Sequence, residues 1–313
     1  MSGGSWLRAF ALREVPHTYN SRSSEERFIV KFASFRLRGV PGYGLVTADG
    51  LRPVGSPFAA RYPDLRAVIA AGELPAAGTS ALASAQRPDP AWLVMEPVIP
   101  NPGKILCVGV NYLEHIREMG RDPPDYPVIF VRHPGSLVGD GEPIVRPSVS
   151  TQYDFEGEFA FVIGRNARYV PKERALDYIA GYACFMDGSV RDFQRQTSQF
   201  TAGKNFPRSG AFGPHLVTTD EIPDPAALRL VTRLNGQVMQ AAPIADMRFG
   251  VADLVAYCST FTELEPGDVI TTGTPSGVGF ARQPPVWLSP GDTLEVEVSD
   301  IGVLRNTVIA EEP

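Results

Sequence analysis

Residues 153–163 read Tyr-Asp-Phe-Glu-Gly-Glu-Phe-Ala-Phe-Val-Ile, with carboxylates at alternate positions followed by an unbroken apolar run. Side chains of a strand alternate between faces, so a strand here places Asp154, Glu156 and Glu158 on one face and Phe155, Phe159 and Phe161 on the other. Alternate residues on one face lie about 7 Å apart, and their charges repel most where surroundings of low dielectric leave them unscreened. The apolar continuation, Phe159 to Ile163, carries the strand into an interior and sets the acids at the rim of a buried sheet. Such a row calls for a cation. Oxygen-only ligands suit Mg²⁺, Mn²⁺ or Ca²⁺, whereas zinc or iron more often recruits His or Cys. A solvated edge strand shows the same alternation, so this stretch alone leaves both readings open.

The 313 residues, 43% hydrophobic and 20% charged, suffice for one large domain or a domain with a smaller companion. A net charge of −6 offers no basic footprint for a phosphate backbone, which argues against nucleic acid and for a small-molecule substrate. No run of about 18 apolar residues and no leader with a clear apolar core is present, so a soluble protein without a membrane role is expected. Cys107, Cys184 and Cys258 are widely spaced beside apolar residues, as buried thiols in a reducing cytoplasm would be.

Residues 1–27 lack periodicity and read as a flexible extension. Strands are expected from Phe28 and from Tyr43, with a hairpin at Asp49-Gly50 and a short helix from Tyr62 to Gly72. An Ala/Pro/Ser-rich connector, 75–90, follows, and Ile99-Pro-Asn-Pro-Gly103 marks a boundary: a small β-rich N-terminal domain and linker at 28–100, a larger domain at 101–313.

In the larger part, a buried strand at 104–109 leads into a helix at 111–120, where His115 and Glu118 fall three apart on one face. There the carboxylate can orient the imidazole and stabilise its protonated form, as a general base requires; a solvated surface pair has the same spacing. Asp187 ends a strand at 182–186, where it suits a helix cap or a metal ligand. Lys204 sits in a glycine-containing loop, ordinarily a solvated position. A hairpin at Asn235-Gly236 and a helix at 251–261 precede a strand that enters the glycine-rich loop Gly273–Gly279. That loop exposes backbone N–H groups to an anion but lacks the lysine and helix of a phosphate loop and the dinucleotide Gly-x-Gly-x-x-Gly spacing.

Five segments in order, Val-Gly-Val-Asn-Tyr-x-x-His at 108–115, Tyr-Asp-Phe-Glu-Gly-Glu at 153–158, Asp-Gly-Ser-Val-Arg-Asp-Phe-Gln at 187–194, Gly-Lys-Asn-Phe at 203–206 and Gly-Asp-Val-Ile-Thr-Thr-Gly-Thr-Pro-Ser-Gly-Val-Gly at 267–279, resemble the fumarylacetoacetate hydrolase family over roughly 104–310. The N-terminal β unit resembles the small domain that many bacterial members carry. The resemblance implies an α+β, β-rich fold, a mixed β-roll or sandwich around a central site, assembled as a homodimer. It makes Glu156, Glu158 and Asp187 ligands of Mg²⁺ or Mn²⁺, with Ca²⁺ a substitute, and leaves Asp154 beside them, unassigned to the metal. It places His115 and Glu118 as a water-polarising dyad on a mobile lid, Lys204 with them as a catalytic group, Arg191 and Gln194 at the substrate, and Thr274 with its loop at the substrate carboxylate. Arg132-His133 departs from the lysine that many members have there.

The activity so implied is metal-dependent hydrolysis of a carbon–carbon bond in an acylpyruvate such as fumarylpyruvate or fumarylacetoacetate. Decarboxylation of an oxaloacetate-like acid, or isomerisation or hydration of a 2-oxo-diene dioate in aromatic catabolism, would use the same ion. A non-catalytic metal-dependent binding module would need the acids but not the dyad.

Overall fold

The apolar run that follows the acids forms the strand Gly157–Ile163, buried at every position, at the centre of an eleven-stranded mixed sheet. The computed structural model describes residues 30–120 and 122–312; the expected extension 1–27 and the first residues of the strand expected from Phe28 lie outside them. On one side Gly157–Ile163 pairs antiparallel with Val269–Thr271, which pairs parallel with Ile105–Gly109. On the other it pairs with Ile179–Met186, then Gly210–Thr218, then Lys31–Leu37. The N-terminal strands Val40–Thr47 and Gly50–Pro53 complete that edge. The boundary expected near residue 100 therefore falls inside one continuous sheet.

The two faces of the central strand follow its period of two. Phe159, Phe161 and Ile163 belong to a core shared with the five-stranded sheet that contains Arg229–Leu234 and Thr293–Val298. Ala160 and Val162 belong to the opposite core, where Phe32, Val68 and Val98 meet Ile105, Phe212 and Val269. That second core also takes Leu65, Val68 and Ile69 from the helix Leu65–Ala71, which begins at an Asp64 side-chain cap and ends on a left-handed Gly72, as its sequence predicts. Among the described residues no helix is long and apolar enough to cross a membrane.

Three sequence expectations need correction. The stretch 153–163 is two strands: Tyr153–Asp154 pairs with Ser189–Val190, the chain leaves the ladder at Phe155-Glu156, and Gly157 rejoins it. The re-entry fits only glycine, because a Cβ there would sit 2.0 Å from Thr232 Oγ1. The Ala/Pro/Ser-rich connector contains the helix Leu74–Ala83; proline is tolerated in its first turn, and Ala77 and Ala81 bury completely against the sheet, so packing overrides a weak local signal. Lys204 ends the short helix Thr201–Lys204 and is 1% exposed rather than solvated.

Because both parts share Phe212, Phe212→Ala should cost about 3–5 kcal/mol and unfold them together. Urea titrations of single-tryptophan variants keeping Trp92 or Trp287 should give one common midpoint; two separated midpoints would show independent units.

Candidate active site

The sheet register assembles the acids. Gly157 pairs with Met186, so Glu156 and Asp187, one residue beyond each, meet at the sheet's end, where the Asp187 N–H donates to the Glu156 carbonyl at 2.9 Å. One carboxylate oxygen from each of Glu156, Glu158 and Asp187 lies within 4.8 Å of the others, and all three residues are buried. A net carboxylate excess at such a spot is costly unless cations are built in with it.

Three cations are. Lys204 Nζ bridges Glu156 Oε2 at 2.6 Å and Asp187 Oδ2 at 2.5 Å. Arg132, 2% exposed, donates to Asp187 Oδ1 at 2.6 Å and also to the Gly188 carbonyl, Ser136 and Ser209. Arg191 donates through Nε to Asp154 Oδ2 at 2.8 Å, while its Nη2 lies 2.7 Å from both Asp154 and Glu156 without meeting hydrogen-bond geometry with either. Asp154 is thus Arg191's anchor, and it also accepts the N–H groups of Gly279, which ends the glycine-rich loop, and of Phe280 just after it.

The charges tune one another. Burial raises the Glu156 carboxyl, but Lys204 and then Arg191 outweigh it and hold the group well below the usual carboxylate range. Burial lowers the Lys204 ammonium, and Asp187 and Glu156 more than restore it, so it stays protonated. Glu158 differs. Burial first, then the charges of Asp187 and Glu156, push its carboxyl well above the ordinary value. It is 1% exposed, accepts the Gly273 N–H at 3.1 Å, and has no cation within ion-pair distance among the described residues. An uncompensated buried carboxylate within ligand distance of two others, in an all-oxygen set, fits a hard divalent cation such as Mg²⁺ or Mn²⁺.

The dyad faces this cluster. The helix Leu113–Glu118 follows a strained entry in which Val110 takes φ 57°, a region β-branched residues avoid. Asn111, fully buried, fixes that entry by donating to the Thr272 and Phe249 carbonyls at 2.8 and 3.0 Å and accepting the Phe249 N–H. His115 Nδ1 lies 2.8 Å from Glu118 Oε2, and Glu118 Oε1 accepts the Gly277 N–H at 2.9 Å, which fastens the helix to the glycine-rich loop.

A cavity of about 490 Å³ collects the expected residues: His115, Glu156, Glu158, Arg191, Lys204 and Thr274 line it, as does Gln194, which accepts from Arg191 Nη1 at 2.8 Å. Glu118 and Asp187 stand just behind the wall, bonded to His115 and Lys204. Phe130, Phe200 and Phe280 supply its aromatic lining, with the Lys204 ammonium 5.2 Å from the Phe130 ring centroid. Thr274 is less free than expected, because its hydroxyl donates to the Gly157 carbonyl at 2.8 Å and accepts from Gln240 at 2.7 Å.

Gln240 was not identified from the sequence. It is 1% exposed, accepts the Gly157 N–H at 3.0 Å and donates to Thr274 Oγ1 and the Pro275 carbonyl, so it ties the backbone between the two glutamates to the glycine-rich loop. Its signal is only that it lies four residues past the Asn235-Gly236 turn, and turn chemistry carries no information about what a hairpin strand will touch. Arg132 was marked by position alone; its place between Asp187 and Ser209 emerges only when strands far apart in the chain are brought together.

The constellation is that of an enzyme family. The chain belongs to the fumarylacetoacetate hydrolase family: the model of the fumarylacetoacetate (FAA) hydrolase C-terminal domain matches residues 104–309. The human mitochondrial oxaloacetate tautomerase FAHD2B is 35% identical over 292 residues, 91% of this chain and 93% of that protein. A putative HpcE protein from Mycobacterium smegmatis superposes with a TM-score of 0.79 at 34% identity, covering 89% of this chain and 99% of that one. A maleylpyruvate hydrolase from Sphingobium sp. SYK-6, solved with manganese(II) and pyruvate, gives 0.74 at 27% identity, covering 90% of this chain and 100% of that one.

Glu158 yields a metal-linked prediction. Its folded-state value is raised above its unfolded one, so its contribution to stability is complete below the ordinary carboxylate range and is lost as pH rises through the raised value. In EDTA, wild type should melt below Glu158→Gln by a margin that widens from about pH 5 to about pH 8. Mn²⁺ should raise the melting temperature of wild type but not of the variant. Identical melting of the two proteins in EDTA across that range would refute the uncompensated charge.

Proposed function

We propose that the protein is a divalent-metal-dependent hydrolase that cleaves a carbon–carbon bond in an acylpyruvate-type 2-oxo acid. One observation carries the reading: a glutamate-oriented imidazole, His115, lines the same cavity as Glu156 and Glu158. Metal-dependent binding alone needs no such base. The manganese and pyruvate in the Sphingobium structure support the same kind of ion and headgroup here. When bound, the cation, held by Glu156, Glu158 and Asp187, supplies Lewis-acid polarisation of a 2-oxo carboxylate.

The remaining work falls to side chains. Glu118 engages Nδ1, which leaves Nε2 of His115 to accept a proton from water. That water attacks the acyl carbonyl carbon, the bond to the pyruvate methylene breaks, and its electron pair leaves on pyruvate as the enolate. The proton then returns from His115 to the enolate carbon, so acylpyruvate and water give a carboxylic acid and pyruvate. Oxyanion charge develops near Lys204, which is held protonated, and near the Arg191 guanidinium that lines the cavity. The Glu118–Gly277 contact holds the dyad helix against the glycine-rich loop while this proceeds. The aromatic lining from Phe130 and Phe200 gives an acyl chain an apolar surface that a bare pyruvate head would not use.

A second reading, keto–enol tautomerisation of an oxaloacetate-like acid, is favoured by the human relative, which aligns over 91% of this chain. There His115 would move a carbon-bound proton instead of activating water.

A panel of acylpyruvates, oxaloacetate and 2-oxo-diene dioates with Mg²⁺ or Mn²⁺, products identified by mass and tautomers by enol absorbance, separates the two. His115→Ala should lower hydrolysis by about 10²–10⁴-fold with little change in Mn²⁺ affinity, and Glu118→Gln should lower it less. An acylpyruvate cleaved at an unchanged rate by His115→Ala would remove the dyad from the mechanism.

A further inference from the structure

We infer that Asn205 is a positioning residue: its side-chain amide ties the edge strand that leads to Arg132 to the short helix that carries Lys204, and so fixes the grip of those two cations on Asp187. What that grip does for a metal rests on the metal-dependent reading above; the tie itself does not.

Asp187 is held from two sides. Arg132 Nη1 donates to its Oδ1 at 2.6 Å, and Lys204 Nζ to its Oδ2 at 2.5 Å. The two cations come from distant parts of the chain, and their backbones meet at Asn205, the residue after Lys204. Asn205 Nδ2 donates to the Val131 carbonyl at 3.1 Å and Oδ1 accepts the His133 N–H at 2.7 Å, which brackets Arg132 on both sides. Nδ2 also donates to the Thr201 carbonyl at 3.0 Å, at the start of the helix Thr201–Lys204. One donor and two acceptors surround the amide, so only this placement of its oxygen and nitrogen satisfies all three.

Both elements need such a tie. Val128–Val131 is the last strand of its sheet and pairs with Ile105–Gly109. The Arg132 N–H turns inward to the Ile105 carbonyl at 3.2 Å, which leaves the Val131 carbonyl and the His133 N–H on the open side. Asn205 supplies there what a neighbouring strand would. A four-residue helix does not hold itself together. Thr201–Lys204 is seated on one side by Gly203, where a Cβ would meet the Gln194 nitrogen at 2.4 Å, and on the other by Asn205. The rigid fork of Arg132 makes the seat matter more than a lysine would, because Asp187, Ser136 and Ser209 share one guanidinium and a shift of the strand end disturbs all three bonds together.

The test reads Lys204 directly. The chain has four lysines, Lys31, Lys104, Lys172 and Lys204. Trace acetylation of the native protein in EDTA, followed by peptide mass mapping, gives a rate at each. Lys204, 1% exposed, should be the slowest in wild type. Asn205→Leu, of similar size without the three bonds, should speed Lys204 relative to Lys31 by about tenfold, the scale of one or two net hydrogen bonds. Asn205→Asp, which keeps the acceptor and loses both donated bonds, should speed it less, and it carries the comparison where Asn205→Leu does not fold. General loosening of the fold would speed the half-buried Lys31 as well and leave the ratio unchanged. In calorimetric titration, Mn²⁺ affinity should fall about 10- to 100-fold in Asn205→Leu, as when a group supporting a metal ligand is lost. A Lys204-to-Lys31 ratio within about twofold of wild type in the variants, or wild-type Mn²⁺ affinity in Asn205→Leu, overturns the inference. A wild-type protein that binds no Mn²⁺ overturns the metal reading instead, and the labelling ratio then decides the tie by itself.

Discussion

Seven buried charges at the end of one sheet govern the rest of the structure: Asp154, Glu156, Glu158 and Asp187 against Arg132, Arg191 and Lys204. Taking an ion out of water costs several kcal/mol even after relaxation, while an opposite charge at about 4 Å returns about 4 kcal/mol at an effective dielectric near 20. An arrangement of this kind persists only if nearly every member has a partner at hydrogen-bond distance. Six do. The seventh, Glu158, has only a backbone amide, and its raised carboxyl expresses the shortfall. The fold is thus complete in its apolar cores but leaves one buried carboxyl at its centre without a cation, the place a divalent ion would fill.

That geometry depends on backbone in places where side chains cannot go. Gly157 lets the acidic strand re-enter the ladder against Thr232, and a Cβ on Gly273, at φ +87°, would meet the Val108 carbonyl at 2.9 Å. Those two close approaches set the amides that Gln240 and Glu158 use. Val110 is strained without being glycine, and its cost is borne by Asn111, whose amide satisfies two loops at once. Strain at the entry to the dyad helix, held from outside it, is how His115 comes to face acids more than 40 residues away in the chain.

Legibility in the sequence followed interaction range. Glu156 with Glu158, and His115 with Glu118, are pairs within three residues, and local periodicity alone puts each on one face. Asp187 and Lys204 had no deciding local signature; Asp187 suited a helix cap as well as a metal ligand, Lys204 read as a solvated loop residue, and only the family resemblance assigned them. The partners that give the site its charge balance are longer-range still, Arg132 to Asp187 across 55 residues and Gln240 to Gly157 across 83. The helix Leu74–Ala83 was missed because its evidence is the neighbouring sheet that buries its alanines, not its own residues. The same reason hid the continuity of the sheet across residue 100: a proline-rich break in sequence pattern says nothing about which strands pair on either side of it.

Glu118 joins two functions that are often separate. One oxygen orients His115 and the other accepts the Gly277 N–H, so the carboxylate that orients the imidazole also fastens its helix to the glycine-rich loop. The first contact lies within a single helix and the second crosses to another loop. The base is therefore preformed by a contact that does not depend on the loop. The glycine-rich loop is suited to this role: Gly277 has φ +100°, and a Cβ there would meet the Met239 carbonyl at 2.2 Å, so the amide that serves as the catch is held against the same hairpin that carries Gln240. The seat of the dyad helix and the registration of the acidic strand then share one hairpin, which ties the position of His115 to that of the three acids through hydrogen bonds.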